Sequence, residues 1–250
     1  MDSPLFSIVT VNLNSGNNLL KTYYSVLSQK YKNFEYIIKD GGSSDCSFNE
    51  VRRESNAKTI IKPDNGIYHA MNQAIEYCKG EYIYFLNSGD VFYDNQVLIK
   101  IANEINRDSD ILYGGIKLLP LNKIVHYPQK LTRFYLFKNN LNHQSWLVKK
   151  KIYNELGGFD LKYKIAADQH FLRKAILEKK VVYQQLSIVI SEWEYGGYST
   201  MKENRKVGKR ERNVMLKEFY TPLEIFIYKI ISLYFLNDFK SKIWEFLYSR

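Results

Sequence analysis

The stretch from Gly80 to Asp90, GEYIYFLNSGD, constrains the fold of this chain more than any other. Its apolar residues, Tyr82 to Leu86, continue without alternation, which is typical of a short strand covered on both faces of a sheet. Small and polar residues end the run, and Asp90 follows them. Ligands of open α/β sheets bind at the carboxyl ends of strands. A carboxylate there, beside the side-chain oxygens of Asn87 and Ser88, suits a hard divalent cation that carries a phosphorylated substrate. A simple polar turn is the alternative.

Strands and helices alternate as far as this stretch. Three earlier apolar runs predict strands, at Phe6–Asn12, Phe34–Lys39 and Thr59–Ile61. The segments between and after them have the apolar spacing of helices, over about Asn18–Gln29, Phe48–Glu54 and Ile67–Cys78, with Gly80 closing the last helix. Strands that alternate with helices indicate a parallel, doubly wound sheet.

Beyond Asp90 the pattern is less regular. We expect a helix near Gln96–Asn106, a strand at Ile111–Tyr113 and a hairpin over Ile116–Tyr127. The later elements expected are a strand at Ser145–Val148, helices at Lys149–Leu156 and Asp168–Glu178, and strands at Val181–Gln185 and Ile188–Ser191.

The charge and the cysteine content indicate which partners and which cellular compartment to expect. The net charge of +10 calls for a polyanionic neighbour, and nucleic acid, anionic lipid and nucleotide phosphates all qualify. We do not expect nucleic acid, because no aromatic-Gly-aromatic motif interleaves with the basic residues. Two cysteines without metal-type spacing, and an N-terminus without a basic region before its apolar run, predict a cytosolic protein.

Acidic turns follow three of the predicted strands, at Asp40, Asp64 and Asp90. Such strand ends converge on one crevice in α/β folds. The sequence has no GxxxxGK[ST] and no GxGxxG motif, so a nucleotide would be held by side chains and a metal. Gly41 would let the backbone approach a ligand closely, and Asp40 would accept hydrogen bonds from a base or ribose. The alternative is that Asp40 caps the next helix.

Five motifs occur in a recognisable order: FSIVTVN, DGGSSD, PDNGIYHAMN, GEYIYFLNSGD, and HQ followed by GGFDLKYKIAADQHFLRKA. Over about residues 5–200 they resemble the family 2 glycosyltransferases of bacterial surface-polysaccharide (O-antigen or capsule) synthesis. The resemblance implies a GT-A fold, an open mixed α/β sheet flanked by helices. It also implies a nucleotide-diphosphate sugar donor, Mn²⁺ or Mg²⁺, and inversion of the anomeric centre.

The resemblance also implies residue roles. Asp40 would contact the nucleobase, Asp90 would bind the metal, and Asp168 would be the catalytic base. An inverting displacement does need a base, and Ala166-Ala167 leave room for a sugar beside it, although Asp168 could also cap its helix. The residues expected to bind the nucleotide and donor are Val11, Asn12, Asp40, Gly41, Asp64, Gly66, Asn72, Asn87, Ser88, His143 and Gln144.

Two features depart from the family pattern or extend it. Asn87 and Gly89 leave one carboxylate where the family commonly has two around the metal, so metal binding should rely more on the diphosphate oxygens. Trp193 and Tyr198 follow the base and are candidates for the acceptor site, because aromatic faces stack on sugar rings. Core packing at a strand end is the alternative.

The segment after residue 199 is strongly basic, with eleven Lys/Arg against six Asp/Glu from Lys202 to Arg250. Its apolar part, Leu223–Leu236, is shorter than the ~20 residues of a spanning helix and is typical of a helix in a bilayer interface. We therefore expect a catalytic domain over 1–199 and a helical tail over 200–250 on an anionic membrane surface. A helix packed on the domain, or a homodimer contact, is the alternative.

The function expected is transfer of a hexose, with a UDP-sugar as donor, to a lipid-linked oligosaccharide at the cytoplasmic face of the membrane. The alternatives are an inactive sugar-nucleotide-binding or scaffold protein, a nucleotidyltransferase and a nucleic-acid binder. A nucleotidyltransferase would need a basic Gly-rich loop after the first strand, and Leu13-Asn14-Ser15-Gly16 has no basic residue.

Overall fold

The strands that position the site belong to one sheet. The computed structural model describes residues 3–45, 47–54, 56–194 and 201–234. Its strands are β1 (Phe6–Asn12), β2 (Phe34–Asp40), β3 (Lys58–Ile61), β4 (Tyr82–Phe85), β5 (Val91–Phe92), β6 (Ile111–Leu119), β7 (Lys123–Val125), β8 (Trp146–Lys149) and β9 (Tyr183–Glu194).

The helices cover the two faces of this sheet. They are α1 (Asn17–Leu27), α2 (Ser47–Glu54), α3 (Ile67–Ile75), α4 (Val97–Glu104), α5 (Arg133–Lys138), α6 (Lys150–Leu156), α7 (Ala167–Arg173) and α8 (Lys202–Phe219). A 3-10 turn spans His143–Ser145, and α7 continues as a π-helical stretch over Lys174–Lys179. Residues 222–234 form helix α9.

The sheet is open and mixed. Its strand order is β3-β2-β1-β4-β8-β6-β9-β5, with β7 paired to β6. β1 pairs in parallel with β2 and β4, and β2 pairs in parallel with β3. β8 lies antiparallel between β4 and β6, and β6 pairs in parallel with β9. The parallel arrangement predicted for the first four strands is confirmed, and their carboxyl ends meet at one edge of the sheet.

Apolar side chains pack on both faces of β4, as its unbroken apolar run predicts. Tyr82 and Tyr84 belong to the core cluster that includes α1 and α4. Ile83 and Phe85 belong to the other cluster, which includes α3, α6 and α7. All four side chains are buried. Burial of one such side chain contributes about 1.5–3 kcal/mol, so β4 is held from both sides and the turn after it has a defined position.

Several elements differ from the expectations. Gly80 does not close α3, which ends at Ile75. A Cβ on Gly80 would lie 2.4 Å from the Ser7 nitrogen, so glycine is needed there because β1 passes against it. The two late strands form the single strand β9, whose pairing with β6 contains register shifts. β5 and α5 are too short for periodicity to reveal them.

Helix α8 packs on the domain that precedes it. Met215, Leu216, Phe219 and Tyr220 are buried in the same core cluster as α3 and α7. α9 is joined to α5 through an ion pair between Glu224 and Arg133, 2.6 Å apart. α8 is therefore part of the packed structure, while the domain boundary at residue 199 and the membrane or homodimer role of the segment after it stay predictions.

Among residues 3–45, 47–54, 56–194 and 201–234, none of the helices has the length and apolar character that crossing a membrane requires.

Candidate active site

A cavity of about 1080 Å³ opens at the carboxyl ends of β1 and β4. Its walls come from the turns after these strands, the start of α3, the segments near residues 142 and 166, and α8. The predicted site residues that line it are Val11, Asn12, Asp64, Gly66, Asn87, Ser88, Asp90, His143, Gln144, Asp168 and Trp193. The fold thus brings most of the predicted residues into one space. Tyr198 lies outside the described residues.

Asp40 does not line this cavity. Its side chain is buried and accepts hydrogen bonds from the Asn12 amide (2.6 Å) and from the Gly42 and Ser43 nitrogens (2.8 and 2.7 Å). The Ser43 hydroxyl also donates to it, at 2.7 Å. These bonds close the loop after β2 and orient Asn12, which does line the cavity. They do not cap α2. The contact with the nucleobase that was expected for Asp40 stays a prediction.

Gly41 and Asp64 lie against each other. A Cβ on Gly41 would lie 2.8 Å from Asp64 Oδ2, so this glycine allows the close approach of that carboxylate. Asp64 accepts a hydrogen bond from the Lys39 ammonium at 2.6 Å, and the side chains are 6% and 0% exposed, respectively. Its other oxygen accepts from the Gly66 nitrogen at 3.1 Å. This buried ion pair, which we did not predict, fixes Asp64 at the cavity wall.

Asn72 is not among the residues that line the cavity, so its position does not support the donor-binding role expected for it. Its amide nitrogen donates to the Phe159 carbonyl and its oxygen accepts from the Phe159 nitrogen, both at 2.8 Å. Gly158 makes this contact possible, since a Cβ there would lie 2.5 Å from the Asn72 oxygen. Asn72 therefore joins α3 to the loop after α6.

The turn after β4 is held by side chains from two other elements. The Thr22 hydroxyl of α1 donates to the Asp90 carbonyl at 2.7 Å and accepts from the Gly89 nitrogen at 2.9 Å. Gly89 has a φ of 103°, which favours glycine. Gln144 donates to Asp90 Oδ2 at 3.0 Å. The HQ pair thus binds the turn directly, and Thr22 is a supporting residue that no motif indicated.

The fit of a divalent cation at this turn rests on two residues. Asp90 supplies a carboxylate, and Asn87 Oδ1 is buried without a hydrogen-bond partner. No group of three or more His, Cys, Asp or Glu residues that could hold a metal occurs in the described part of the chain. Mg²⁺ is commonly held by one or two carboxylates together with substrate phosphates and water. The residues present therefore fit a cation whose coordination is completed by the substrate.

Asp168 is the second residue of α7 and lies two residues past the cap, which is Ala166, so it does not occupy the capping position. Its Oδ1 lies 2.9 Å from the Tyr68 hydroxyl, and its Oδ2 lies 3.7 Å from His143 Nδ1. Burial, followed by the nearby Asp168 charge, raises the pKa of Tyr68 well above its ordinary value, so Tyr68 stays protonated and can donate.

His143 connects this carboxylate to the turn after β4. Its Nε2 lies 2.9 Å from the Asn87 amide nitrogen. Because that amide donates, the ring proton of neutral His143 is assigned to Nδ1, the nitrogen that faces Asp168. His143 therefore lies between the turn after β4 and the Asp168 carboxylate, 2.9 Å from the Asn87 amide and 3.7 Å from Asp168. Tyr68 and this arrangement were not predicted, because both depend on contacts between residues far apart in sequence.

Family comparison assigns the chain to a class. The model described as "Glycosyl transferase family 2" matches residues 7–179, more than half of the chain. The chain therefore belongs to glycosyl transferase family 2.

Individual relatives agree with this assignment. A PGL/p-HBAD biosynthesis glycosyltransferase of Mycobacterium bovis is 28% identical over 218 residues, which cover 84% of this chain and 85% of that protein. An uncharacterised glycosyltransferase of Mycobacterium tuberculosis is 29% identical over 209 residues, covering 80% and 79%.

Solved structures show the fold. TarS 1–349 of S. aureus in complex with UDP-GlcNAc superposes with a TM-score of 0.65 at 19% identity, covering 93% of this chain and 71% of that one. The mannosyltransferase PcManGT of Pyrobaculum calidifontis, in complex with GDP-Man and Mn²⁺, gives a TM-score of 0.68 at 16% identity, covering 92% and 70%. The predicted GT-A α/β fold is confirmed.

Proposed function

We propose that this glycosyltransferase moves a hexose from a UDP-sugar to a lipid-linked oligosaccharide, with inversion and with a divalent cation, in surface-polysaccharide synthesis. The observation that carries the proposal is the chain of contacts in the cavity. The Asn87 amide bonds to His143, which lies 3.7 Å from Asp168. The turn after β4, which suits a metal and a diphosphate, therefore faces the same cavity as Asp168, whose carboxylate suits the role of a base.

Asp168 is the proposed base. In an inverting transfer, the acceptor oxygen forms a bond to the anomeric carbon as the bond to the diphosphate breaks, and the hydroxyl proton moves to the base. A positioned base contributes roughly a hundred- to ten-thousand-fold in rate. The Tyr68 hydroxyl, 2.9 Å from Oδ1, orients the carboxylate, and Oδ2 remains on the side of His143.

The cavity has about 1080 Å³, at the upper end of the range of about 300–1,000 Å³ that is usual for ligand pockets. This volume suits a ligand as large as a nucleotide-sugar. The proposed donor site is the wall formed by Val11, Asn12, Asp64 and Gly66. The proposed UDP-sugar is the kind of donor seen in the complex of TarS with UDP-GlcNAc. PcManGT, which has the same fold, is in complex with a GDP-sugar, GDP-Man. The nucleotide must therefore be tested directly.

Asp90 and Asn87 would hold the cation. When bound, it would neutralise charge on the leaving diphosphate, a contribution of several kcal/mol. Gln144 donates to Asp90 Oδ2 and so helps to fix the orientation of this carboxylate. Asp90→Ala should abolish stabilisation of the protein by UDP with Mn²⁺, and EDTA should stop the wild type. Full activity in EDTA would contradict metal dependence while leaving glycosyl transfer intact.

A panel of nucleotide-sugars tests the central proposal. Thermal stabilisation with Mn²⁺ and hydrolysis would be measured for the wild type, for Asp168→Asn and for Asp108→Asn, an exposed carboxylate remote from the cavity, as a control. Asp168→Asn should lose activity by roughly a hundredfold or more while donor affinity changes only a few fold. Loss of donor affinity in step with activity would make Asp168 a structural residue. No stabilisation by any nucleotide-sugar would contradict the proposed function.

The exposed face of α9 supports contact with a membrane surface. Leu223, Phe226, Ile230 and Leu233 are 67%, 62%, 51% and 60% exposed, and their spacing of three or four residues places them on one side of the helix. The opposite side contacts the domain, where Tyr228 packs against Phe137. Exposed basic residues of α8, Lys202, Lys206, Lys209 and Arg210, would add attraction to anionic lipid.

Co-sedimentation with anionic and neutral vesicles tests this surface. Phe226→Ser with Ile230→Ser should release the protein from anionic vesicles. Leu121→Ser with Leu161→Ser is a matched control, because both leucines are exposed elsewhere on the molecule, at 69% and 52%. Equal binding by all variants would contradict the assignment. A concentration-dependent dimer that only the α9 substitutions abolish, without vesicle binding, would favour the homodimer instead.

An inactive sugar-nucleotide-binding protein remains the second candidate, because the turn after β4 carries a single carboxylate, Asp90. The same panel separates it from the enzyme. Stabilisation by a nucleotide-sugar without turnover, on any acceptor tried and with either Mn²⁺ or Mg²⁺, would favour that candidate.

A further inference from the structure

The segment just before α7 is bound by a carboxylate from α8. Three successive backbone nitrogens, those of Lys164, Ile165 and Ala166, donate to Glu211 at 2.7, 3.0 and 3.0 Å. The hydrogen bonds of α7 itself begin with the His170 nitrogen, which donates to the Ala166 carbonyl. The three nitrogens therefore have their partner in α8, and one side chain fixes the path by which the chain enters α7.

Gly208 lets α8 come close enough to make these bonds. It lies one helical turn before Glu211, on the same face of the helix. A Cβ on Gly208 would lie 3.1 Å from Ile165 Cγ2, which is tighter than ordinary contact. Glycine and glutamate at this spacing together allow α8 to lie against the segment and to bind its backbone.

The same segment is held from the opposite side by α3. The Tyr68 hydroxyl lies 2.9 Å from the Ile165 carbonyl and 2.9 Å from Asp168 Oδ1. Tyr68 therefore contacts both the segment and the proposed base. Glu211 on one side and Tyr68 on the other leave the backbone before Asp168 little freedom.

We propose that Glu211 is a positioning residue for Asp168, and that α8, which lies beyond the family match at residues 7–179, completes the active site. The role of Glu211 rests on the proposed function of Asp168 as the base. Glu211 reaches no reacting atom itself. It sets the position of the backbone two to four residues before the base, and small displacements of catalytic groups lower turnover steeply.

Glu211→Gln isolates this role with little change in volume. Glutamine offers one acceptor oxygen and directs an NH₂ group towards at least one backbone N–H, so the three bonds cannot all form. Glu203→Gln is the matched control, because Glu203 is an exposed glutamate in the first turn of the same helix.

Two measurements test the proposal. In Glu211→Gln, amide hydrogen exchange of residues 164–166 should accelerate about tenfold or more, with β4 unchanged, and kcat should fall about ten- to a hundredfold while the donor KM stays within twofold. Glu203→Gln should match the wild type. Unchanged exchange, or unchanged kcat with faster exchange, would overturn the proposal. The proposal would also be overturned if kcat/KM fell only because the donor KM rose, with kcat unchanged.

Failure of the proposed function would look different. In that case, the wild type transfers no sugar, while the exchange experiment still reports whether Glu211 holds the segment. If Glu211→Gln does not fold, Gly208→Ala provides the second variant, since it displaces Ile165 without removing a hydrogen bond. In Gly208→Ala, as in Glu211→Gln, kcat should fall while the donor KM stays within about twofold. A Gly208→Ala protein with wild-type kcat would overturn the proposal.

Discussion

The buried ion pair between Lys39 and Asp64 should stabilise the protein by an amount that a single substitution can measure. The two groups lie 2.6 Å apart, with the lysine side chain 0% and the aspartate side chain 6% exposed. Removing one partner of a buried pair costs about 3–5 kcal/mol, because the other charge stays buried without compensation. In Asp64→Asn the amide oxygen can still accept one bond, and Lys39 also donates to the Asp40 carbonyl at 3.2 Å. We therefore expect a loss of about 3 kcal/mol in the free energy of unfolding.

Urea and thermal unfolding provide the assay. For a chain of this size, a loss of about 3 kcal/mol corresponds to a decrease in Tm of roughly 6–12 °C. Asp94→Asn is the matched control, because Asp94 pairs with Lys100 at the same distance, 2.6 Å, but with side chains 35% and 41% exposed. An exposed pair contributes about 0–1 kcal/mol.

A double-mutant cycle with Lys39→Met separates the pair from its surroundings. Once both charges are removed, no charge remains buried, so the double variant should lose clearly less than the sum of the two single variants. A coupling of about 2 kcal/mol or more is expected for such contacting residues. Equal losses in Asp64→Asn and Asp94→Asn, or a coupling near zero, would refute the argument that Lys39 depends on this carboxylate.

Three further outcomes are expected. Gly80→Ala should destabilise the protein by about 3 kcal/mol or more in urea unfolding, because the new methyl group meets the Ser7 backbone. Burial lowers the pKa of His170, so as pH falls the unfolded chain takes up this proton before the folded chain does. The free energy of unfolding should therefore decrease as pH drops below about 6.5. In His170→Gln, the decrease between about pH 7.5 and 5.5 should be smaller. Asn72→Ala should lower stability by about 2 kcal/mol through its bonds to Phe159, while nucleotide affinity stays unchanged in a calorimetric titration.

The strands that end at the site could be predicted because burial on both faces leaves a strong pattern. β1 and β4 are apolar runs, and the observed strands, Phe6–Asn12 and Tyr82–Phe85, match the predicted Phe6–Asn12 and Tyr82–Leu86 closely. Polar residues directly after such runs lie at the carboxyl edge, which is why Asn12, Asn87 and Asp90 line the cavity. The apolar pattern and the positions of the strand ends were therefore sufficient to predict these three residues of the site.

Side-chain direction could not be predicted in the same way. Asp40 ends β2, just as Asp90 lies in the turn after β4, yet the Asp40 carboxylate turns inward and binds its own loop. The contacts between residues far apart in sequence could not be predicted either. Glu211 binds residues 164–166, and nothing in the spacing of either segment indicates the other. Such contacts depend on how helices pack on the finished sheet, which a local pattern does not encode.

The sheet order determines where this chain can be shortened. β9 lies between β6 and β5 and pairs along most of β6, from Ile111 to Leu119. A fragment that stops where the family match stops, at residue 179, would lack β9 altogether. The backbone groups of β6 would then form a long bare edge, which other copies of the chain could extend by strand addition. Aggregation is therefore the expected fate of such a fragment, and any shortened version of the chain should keep β9.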